Sequence, residues 1–422
     1  MKYSNANKMT DFRLNYTKHL CLKSIFIFLI FSCSAGNQKP TYPSGEKQEE
    51  KVQTPTLAVT GASRMELYVP DLMDKKVGIV GNQTTVVDNV HLVDTLLRQG
   101  VNVVKVFSPE HGFRGLANAG EYVGHEKDRE TGLPIISLYG NNKKPTAEQL
   151  KGLDVVVFDI QDVGVRFYTY ISTLHYVMEA CAENQIPVII LDRPNPNGHY
   201  VDGPVLNTDK YQSFVGMHPV PIVHGMTIGE YGTMVNEEGW LKKGVKCDLT
   251  VIGCDLYHRL MTWDISIPPS PNLRTNLSIS LYPSLCLLEA TDVTVGRGTE
   301  GPFECYGHPD FPDTLNYYFT PQPDLGASKP KHMAEMCYGY DLRDQKYMRM
   351  NQLDLSFLMN AYGLMNGDLF QGKSKEMFYL LCGTDEILTQ LKEGKSEEEI
   401  RASWKNDLSK FMVLREKYLI YP

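Results

Sequence analysis

The chain is 422 residues long, and its 50 acidic against 42 basic side chains give a formal net charge of −8. That balance argues against nucleic-acid binding and against charge-driven binding to an anionic lipid surface. The length that remains after the N-terminal segment, about 365 residues, predicts two domains.

The N-terminal segment predicts export and lipid anchoring. Lys18 and Lys23 flank the start of an apolar run at 25–31, which is too short to span a bilayer as a mature helix and suits a secretory signal. The run ends in Ile30-Phe31-Ser32-Cys33, which is similar to a bacterial lipobox, where the cysteine is lipidated and becomes the new N-terminus. An ordinary signal peptide with a chance cysteine is the alternative. We expect residues 1–33 to be a lipoprotein signal that ends at lipidated Cys33.

Residues 34–56 predict a flexible tether, because a composition rich in Lys, Glu, Gln, Pro, Ser and Gly cannot build a core. The body is therefore expected to be held by lipid to a bacterial membrane, on the extracytoplasmic and periplasm-facing side. The nine cysteines of the chain contain no CxxC pair, so the sequence supports neither a zinc ribbon nor a thioredoxin-like site. Most of them are expected to be small buried side chains.

The first half of the body alternates strand and helix patterns. Apolar runs predict buried strands, and apolar residues at helical spacing predict the helices between them. The predicted strands are 76–83, 101–107, 134–139, 154–160 and 187–192, and the predicted helices are 91–98, 146–150 and 171–184. This alternation predicts an α/β fold with a parallel, doubly wound sheet.

The first turn of this sheet argues against a nucleotide ligand. Gly78-Ile79-Val80-Gly81-Asn82-Gln83 is not a GxGxxG motif, and no Walker motif occurs in the chain. The topology is therefore Rossmann-like without a nucleotide site, since a fold does not imply a function.

The loop after the second strand, Ser108-Pro109-Glu110-His111-Gly112-Phe113-Arg114-Gly115, carries a carboxylate, an imidazole and a guanidinium. In open α/β sheets, ligands bind at the carboxyl ends of the strands. Glu110 can be a general acid or base there if its surroundings raise its pKa. The alternative is that Glu110 caps a helix or pairs with Arg114.

Two further polar loops follow the fourth and fifth strands. Residues 159–170 contain two carboxylates, an amide, a guanidinium and two phenols, and residues 192–198 form a proline-rich loop. An Asp192–Arg193 salt bridge and ordinary turn chemistry are the structural alternatives. Three such loops at one edge of a sheet nevertheless predict a site.

The second half repeats this pattern less clearly. Thr227 and Glu230 fit a capping box at the start of a helix, so Glu230 is expected to be structural. A strand is expected at 248–252 and a strand-like run at 292–295. Polar loops follow at 268–273 and 296–304.

Arg297 lies among glycines in the second of these loops and is suited to bind an anion, because the backbone can approach closely and Arg binds carboxylates bidentately. Glu300 is either a second acid or the partner of Arg297.

Taken in order, the loops resemble the exo-β-N-acetylmuramidase family of glycoside hydrolases. The motifs that carry the resemblance are Gly81-Asn82-Gln83-Thr84, Ser108-Pro109-Glu110-His111-Gly112, Asp159-Ile160-Gln161-Asp162-Val163-Gly164, Asp192-Arg193-Pro194-Asn195-Pro196, Pro269-Ser270-Pro271-Asn272 and Gly296-Arg297-Gly298-Thr299. The resemblance implies a Rossmann-like N-terminal domain, expected at 57–225, and a smaller α/β C-terminal domain, expected at 226–422, with the active site in the cleft between them. The implied activity removes terminal N-acetylmuramic acid from the non-reducing end of peptidoglycan fragments during cell-wall turnover.

This activity assigns expected roles to several acidic residues. Glycoside hydrolysis needs a carboxylic acid beside the leaving oxygen and a second group for the oxocarbenium-like charge. Glu110 is the expected acid, Asp162 or Asp159 is the expected second carboxylate, and His111 tunes Glu110 or binds a sugar hydroxyl. The 2-acetamido group of the substrate is an alternative nucleophile, oriented by a carboxylate such as Asp162.

Muramic acid differs from glucosamine by a lactyl carboxylate, so an arginine is expected in the cleft. Arg297 is the leading candidate, followed by Arg193 and Arg166. The other expected substrate-binding residues are Asn82, Gln83, Arg114, Gln161, Tyr168, Tyr170, Asn195, His224, Asn272, Thr299 and Glu300.

Two other classes of function stay open. One is a non-catalytic lipoprotein that binds muropeptides. The other is a metal-dependent hydrolase with Asp159, Asp162, His111 and His224 as ligands, although neither a paired-His spacing nor a GxSxG motif supports it. We expect no cofactor, no metal and no nucleic-acid partner. The expected partners are a small saccharide substrate, the membrane through the lipid anchor, and other cell-wall hydrolases.

Overall fold

The computed structural model describes residues 58–115 and 126–422, so the predicted signal, Cys33 and the tether lie outside the described residues. The strands along the chain are β1 (Val77–Gly81), β2 (Val86–Val87), β3 (Val90–His91), β4 (Val103–Ser108), β5 (Glu126–Lys127), β6 (Pro134–Ser137), β7 (Val155–Asp159), β8 (Val188–Leu191), β9 (Leu249–Ile252), β10 (Cys305–His308), β11 (Tyr318–Phe319) and β12 (Cys337–Asp341). The helices are α1 (Val69–Leu72), α2 (Leu92–Arg98), α3 (Ala147–Leu150), α4 (Tyr170–Glu183), α5 (Thr208–Tyr211), α6 (Ile228–Glu237), α7 (Asn276–Leu285), α8 (Ser356–Leu364), α9 (Glu376–Cys382), α10 (Glu386–Lys392) and α11 (Glu397–Glu416).

A seven-stranded sheet organises the first part of the molecule, in the order β5-β6-β4-β1-β7-β8-β9. Six of its strands are parallel, and only the short β5 runs antiparallel to its neighbour β6. The chain builds outward from β1 to β6, then returns to the other side of β1 and continues through β7 to β9. This is the doubly wound Rossmann order, so the predicted fold class is confirmed, and the turning point lies between β1 and β7.

The strands form where the apolar runs predict them because both faces of the sheet are buried. On β7, Val156 and Phe158 join one core, and Val155 and Val157 join the other. This alternation follows from the two-residue period of a strand. α4 and α6 cover the first face, while α2 packs against the second. The loops at the strand ends are thereby held on a rigid base.

The core on the α4 side continues without a break into the C-terminal part, which contains α7 to α11 and a small antiparallel sheet ordered β10-β12-β11. The predicted strand-like run at 292–295 is wrong, since only Thr294 makes an isolated bridge, to Gly307. Its other backbone groups bond to loops: Asp292 N–H donates to the Leu369 carbonyl, and Val295 accepts from Phe303. The run is buried in the core rather than in a sheet.

β9 extends the main sheet beyond the predicted domain boundary at 225/226, because it pairs in parallel with β8. The described residues all belong to one compact unit. None of the helices in the described ranges has the length and hydropathy needed to cross a bilayer. The seven cysteines from Cys181 to Cys382 are buried free thiols, as expected.

Candidate active site

A cavity of about 300 Å³, here called the main pocket, lies beyond the carboxyl end of β4 and is bounded on its other side by the C-terminal part. Its polar side chains are Glu110, His111, Tyr168, Thr169, Tyr170, Ser270, Asn272, Tyr282, Glu289 and Arg297. Its more apolar walls are Phe167, Val215, Leu273, Cys286, Phe303, Met377 and Leu381. Apolar walls with a few converging polar groups are typical of a small-molecule site.

Glu110 and His111 enter the main pocket from the loop after β4. The loop turns sharply, with His111 at φ 73° and Gly112 at φ 80°, both in the left-handed region. A non-glycine residue in that region is uncommon and is found preferentially at functional sites. Glu110 is half-buried, and the Tyr139 hydroxyl hydrogen-bonds its carboxylate. Burial and the negative charge of Glu110 raise the pKa of Tyr139 to about 12, so Tyr139 stays a proton donor to Glu110.

His111 is neutral at ordinary pH. Its side chain is almost fully buried, and burial lowers its pKa to about 4, with the positive charge of Arg297 acting in the same direction. Its Nδ1 atom has no hydrogen-bond partner among the described residues. Because this nitrogen is buried, His111 lines the main pocket as a neutral ring and not as a free hydrogen-bonding group.

Tyrosines from two parts of the chain form one wall of the main pocket. The rings of Tyr168 and Tyr170 meet edge to face at 4.8 Å, and Tyr282 of α7 packs against Tyr168 at 5.8 Å. The Tyr170 hydroxyl donates to the Pro269 carbonyl and accepts from Asn82 Nδ2, both at 2.9 Å. Asn82 is fully buried, so it positions Tyr170 rather than contacting a ligand.

Arg297 brings a positive charge to the main pocket. It forms an ion pair with Glu289, and its guanidinium lies 5.5 Å from the centre of the Phe303 ring. Its Nε atom is buried and makes no hydrogen bond within the described residues. The acidic partner of Arg297 is therefore Glu289 and not the predicted Glu300, which is exposed and does not line the main pocket.

Loops on either side of Arg297 complete the polar lining. Asn272 donates through Nδ2 to the Gly326 carbonyl at 2.7 Å, while its Oδ1 is buried without a partner among the described residues. Thr299 lies outside the main pocket, where its hydroxyl donates to the Gly296 carbonyl at 2.6 Å and closes the loop that carries Arg297.

A second region, here called the crevice, lies between the carboxyl ends of β1 and β7. Doubly wound sheets usually bind their ligands at this position. Here a segment of the chain covers it. Gln83 Nε2 donates to the Pro268 and Pro269 carbonyls at 3.0 and 3.2 Å, and Trp263 Nε1 donates to Gln161 Oε1 at 3.3 Å. A cavity of only about 50 Å³ remains. The crevice is therefore closed to a ligand of the size of a sugar.

Asp159 and Arg193 lie at the crevice and form an ion pair with each other. Arg193 donates to the Asp159 carboxylate from Nε at 2.5 Å and from Nη2 at 2.9 Å. Asp159 is fully buried and Arg193 is 6 % exposed. Their expected roles as a second catalytic carboxylate and as an anion-binding residue do not fit this pairing, which ties the loop after β7 to the loop after β8.

Asp162 lies outside the lining of the main pocket and is 5 % exposed. Its Oδ2 accepts from Gly164 N–H at 2.7 Å, and its Oδ1 has no partner among the described residues. Burial raises the pKa of Asp162 to about 7. Its carboxylate is close enough to act electrostatically on Tyr168 and Tyr170. It is thus a buried carboxyl group near the aromatic wall and not a group that faces the cavity.

Other expected binding residues hold segments together. Arg114 pairs with Asp94 and Asp128, so the alternative in which it pairs with Glu110 is not realised. Arg166 is fully buried and donates to three backbone carbonyls, those of Pro204, Val220 and Leu381.

Buried polar side chains of the neighbouring loops are similarly occupied. Gln161 Nε2 donates to the Asp162 and Pro194 carbonyls. Asn195 Nδ2 donates to the Met226 carbonyl, and His224 Nδ1 accepts from the Met226 N–H. Burial lowers the pKa of His224 to about 3, so this ring stays neutral. These residues do not line the main pocket.

The main pocket thus brings together six predicted residues: Glu110, His111, Tyr168, Tyr170, Asn272 and Arg297. Sequence reasoning missed Glu289 and Tyr282, which lie in helical segments without a polar motif. It also missed Ser270, although the Pro268–Leu273 loop was singled out. Within residues 58–115 and 126–422, no group of three or more His, Cys, Asp and Glu side chains is arranged to hold a metal ion.

Two family models match adjacent parts of the chain. The family model for the N-terminal domain of exo-β-N-acetylmuramidase NamZ matches residues 77–277, and that for its C-terminal domain matches residues 280–421. The chain is 37% identical over 418 residues to the peptidoglycan β-N-acetylmuramidase NamZ of Bacillus subtilis (strain 168), covering 94% of this chain and 100% of that protein.

Two solved structures of DUF1343 family proteins from Bacteroides fragilis NCTC 9343 have the same fold. One is 44% identical, with a TM-score of 0.79, and the match covers 87% of this chain and 99% of that one. The other is 31% identical, with a TM-score of 0.74, covering 86% and 99%.

Proposed function

The chain belongs to the exo-β-N-acetylmuramidase NamZ family, and we propose that it is an exo-acting glycosidase that removes β-N-acetylmuramic acid from the non-reducing end of peptidoglycan fragments, with Glu110 as its general acid. The observation that carries the assignment of residues is the meeting of Glu110 and Arg297 in one cavity of about 300 Å³. The first group can protonate a leaving oxygen, and the second can recognise the carboxylate that distinguishes muramic acid from glucosamine.

Glu110 acts on the glycosidic bond. As the bond from the anomeric carbon to the leaving oxygen breaks, the Glu110 carboxylic acid gives its proton to that oxygen. Water supplies the new oxygen on the anomeric carbon and releases a proton to solvent, from which the Glu110 carboxylate is protonated again. The hydrogen bond from Tyr139 holds the carboxyl group in one orientation. The sharp turn at His111 and Gly112 fixes the backbone beside it.

The remaining lining groups bind the sugar. Arg297, whose side chain is 31% exposed, receives the lactyl carboxylate, and His111 and Asn272 line the space that holds the sugar. Phe303 and the Tyr168–Tyr282 wall cover the apolar faces of the ring. Asp162, at the back of this wall, acts on the tyrosines and not on the substrate.

The test uses two substrates that differ in their need for an acid: a nitrophenyl β-N-acetylmuraminide and the natural disaccharide with N-acetylglucosamine as leaving group. Glu110→Gln should lower turnover of the disaccharide by about 10²- to 10⁴-fold, the range of general acid catalysis. The same substitution should lower turnover of the nitrophenyl glycoside much less, because nitrophenolate leaves without protonation.

The matched control is Glu300→Gln, the same change at an exposed carboxylate outside the main pocket. An equal loss of turnover on both substrates would show that Glu110 is not the general acid. Binding of the disaccharide without any hydrolysis by the wild type would favour a binding lipoprotein, and loss of turnover with EDTA would favour a metal-dependent hydrolase.

We further propose that the enzyme lies on the extracytoplasmic side of a bacterial membrane, anchored through lipid at Cys33. Its support is the apolar run that ends in Ile30-Phe31-Ser32-Cys33 and the polar tether that follows. An exo-acting enzyme works on chain ends, so hydrolases that cut glycan strands are its proposed companions. In cells fed labelled palmitate, the wild type should carry the label and Cys33→Ala should not; label retained in the variant would refute the anchor.

A further inference from the structure

A second cavity, of about 360 Å³, adjoins the main pocket. Glu289 and Arg297 line both cavities, so their ion pair is the partition between them. The remaining walls are Thr294 and the loop 326–331. The loop is tied to the main pocket as well, because Asn272 donates to the Gly326 carbonyl. We call this second cavity the annexe.

The annexe carries a positive charge. Its lining contains three cations, Arg297, Lys329 and Lys331, against one carboxylate, Glu289. The Lys331 ammonium donates to the carbonyls of Leu288, Glu289 and Val293, at 3.3, 2.8 and 3.1 Å, and is thus fully used.

Two cations of the annexe keep exposed surface. Lys329 is exposed and makes no hydrogen bond or ion pair with the described residues. The Arg297 side chain, which lines the annexe beside Glu289, is 31% exposed. Both cations can therefore be reached by an anionic ligand.

We propose that the annexe is the subsite for the 3-O-lactyl group of the substrate and that Lys329 is a specificity-determining residue for it. This inference rests on the proposed function. With the sugar ring in the main pocket and its carboxylate on Arg297, the lactyl group lies at the partition and enters the space beyond it. The lactyl carboxylate is the only anionic group of a terminal N-acetylmuramic acid, so the positively charged cavity selects it over the hydroxymethyl group or the leaving sugar.

The test reverses the charge at position 329. Lys329→Glu should raise the KM for a nitrophenyl β-N-acetylmuraminide about fivefold and change kcat by less than about twofold, since a single exposed charge contributes modestly. The shift should shrink at high salt, because exposed charges are screened. Lys405→Glu, an equally exposed lysine on α11 that lines neither cavity, is the control and should behave as the wild type.

A second variant tests the space rather than the charge. Ser328→Trp should fill the annexe from an exposed position of the same loop and should also raise the KM for the muraminide. If the KM values of Lys329→Glu and Ser328→Trp both equalled the wild-type value, the annexe would not be the lactyl subsite. The same conclusion would follow if the Lys405→Glu control shifted the KM as much as Lys329→Glu. These results differ from failure of the proposed function, in which the wild type itself does not release nitrophenol.

Discussion

The crevice and the main pocket are both rich in polar side chains, but only the main pocket is open. The crevice keeps about 50 Å³ of space and the main pocket about 300 Å³. At the crevice, Asp159 is paired with Arg193, and Gln83 and Gln161 are bonded to the segment that covers them. Buried polar atoms without a partner among the described residues occur in both regions, at Gln83 in the crevice and at Arg297 and Asn272 in the main pocket, so open space is what separates the two.

The difference shows how one sheet can carry a site away from its usual position. The chain fills the space between β1 and β7 with its own residues 263–269, and the open cavity lies one strand along, at the loop after β4. In the proposed function, polar residues at the crevice hold the loops in place, and those at the main pocket bind the ligand. Substitutions in the two regions should therefore separate stability from turnover.

The largest expected effect on stability comes from the crevice. Asp159→Asn leaves the Arg193 guanidinium buried without its counter-charge, and the breaking of a buried ion pair costs about 3–5 kcal/mol of unfolding free energy. Urea unfolding of the wild type and the variant measures this loss. A loss below about 1 kcal/mol would show that the pair is not structural.

Asp162 should show a stability effect that depends on pH. Burial raises its folded-state pKa to about 7, above the unfolded value, so its charged form destabilises the fold at pH 8. Asp162→Asn should therefore be more stable than the wild type by roughly 2–4 kcal/mol at pH 8. The difference should shrink as the pH falls through about 7 towards 5, because the wild-type carboxyl becomes protonated.

Urea unfolding at pH 8 and pH 5 checks this dependence for Asp162. A gain that is the same at both pH values would mean that the substitution acts through packing and not through charge.

A smaller effect is expected at the main pocket, and on binding rather than on folding. Arg297→Lys keeps the charge but loses the planar fork that binds a carboxylate bidentately. We expect the KM for the muraminide to rise about tenfold with kcat within about threefold. Unfolding free energy should change by less than about 1 kcal/mol, because the Arg297 and Glu289 side chains are 31% and 20% exposed. An unchanged KM would remove Arg297 from substrate recognition.

The sequence predicted the sheet well because a buried parallel strand shows itself as a continuous apolar run. Its failures have physical causes. The run at 292–295 has the same composition as a strand, but tertiary contacts at Leu369 and Phe303 satisfy its backbone instead. The two-residue β5 is too short to produce a pattern.

The site was predictable only where a loop carried an unusual cluster of polar residues, as at Glu110 and Arg297. The same signal marked Asp159 and Arg193, because a polar cluster does not reveal whether its members satisfy each other. Glu289 carried no local signal, since its role arises only when the helical segment after α7 is brought beside the loop of Arg297.

The central claim is that turnover belongs to the main pocket and stability to the crevice. Its most direct test is hydrolysis of the disaccharide by Glu110→Gln and Asp159→Asn, expressed per folded molecule and measured beside urea unfolding of both. The account predicts that Glu110→Gln keeps wild-type stability and loses at least about 10²-fold in turnover, while Asp159→Asn unfolds more easily but stays within about threefold of wild-type turnover. The reverse result, full activity in Glu110→Gln and none in folded Asp159→Asn, would contradict the account and place the chemistry at the crevice.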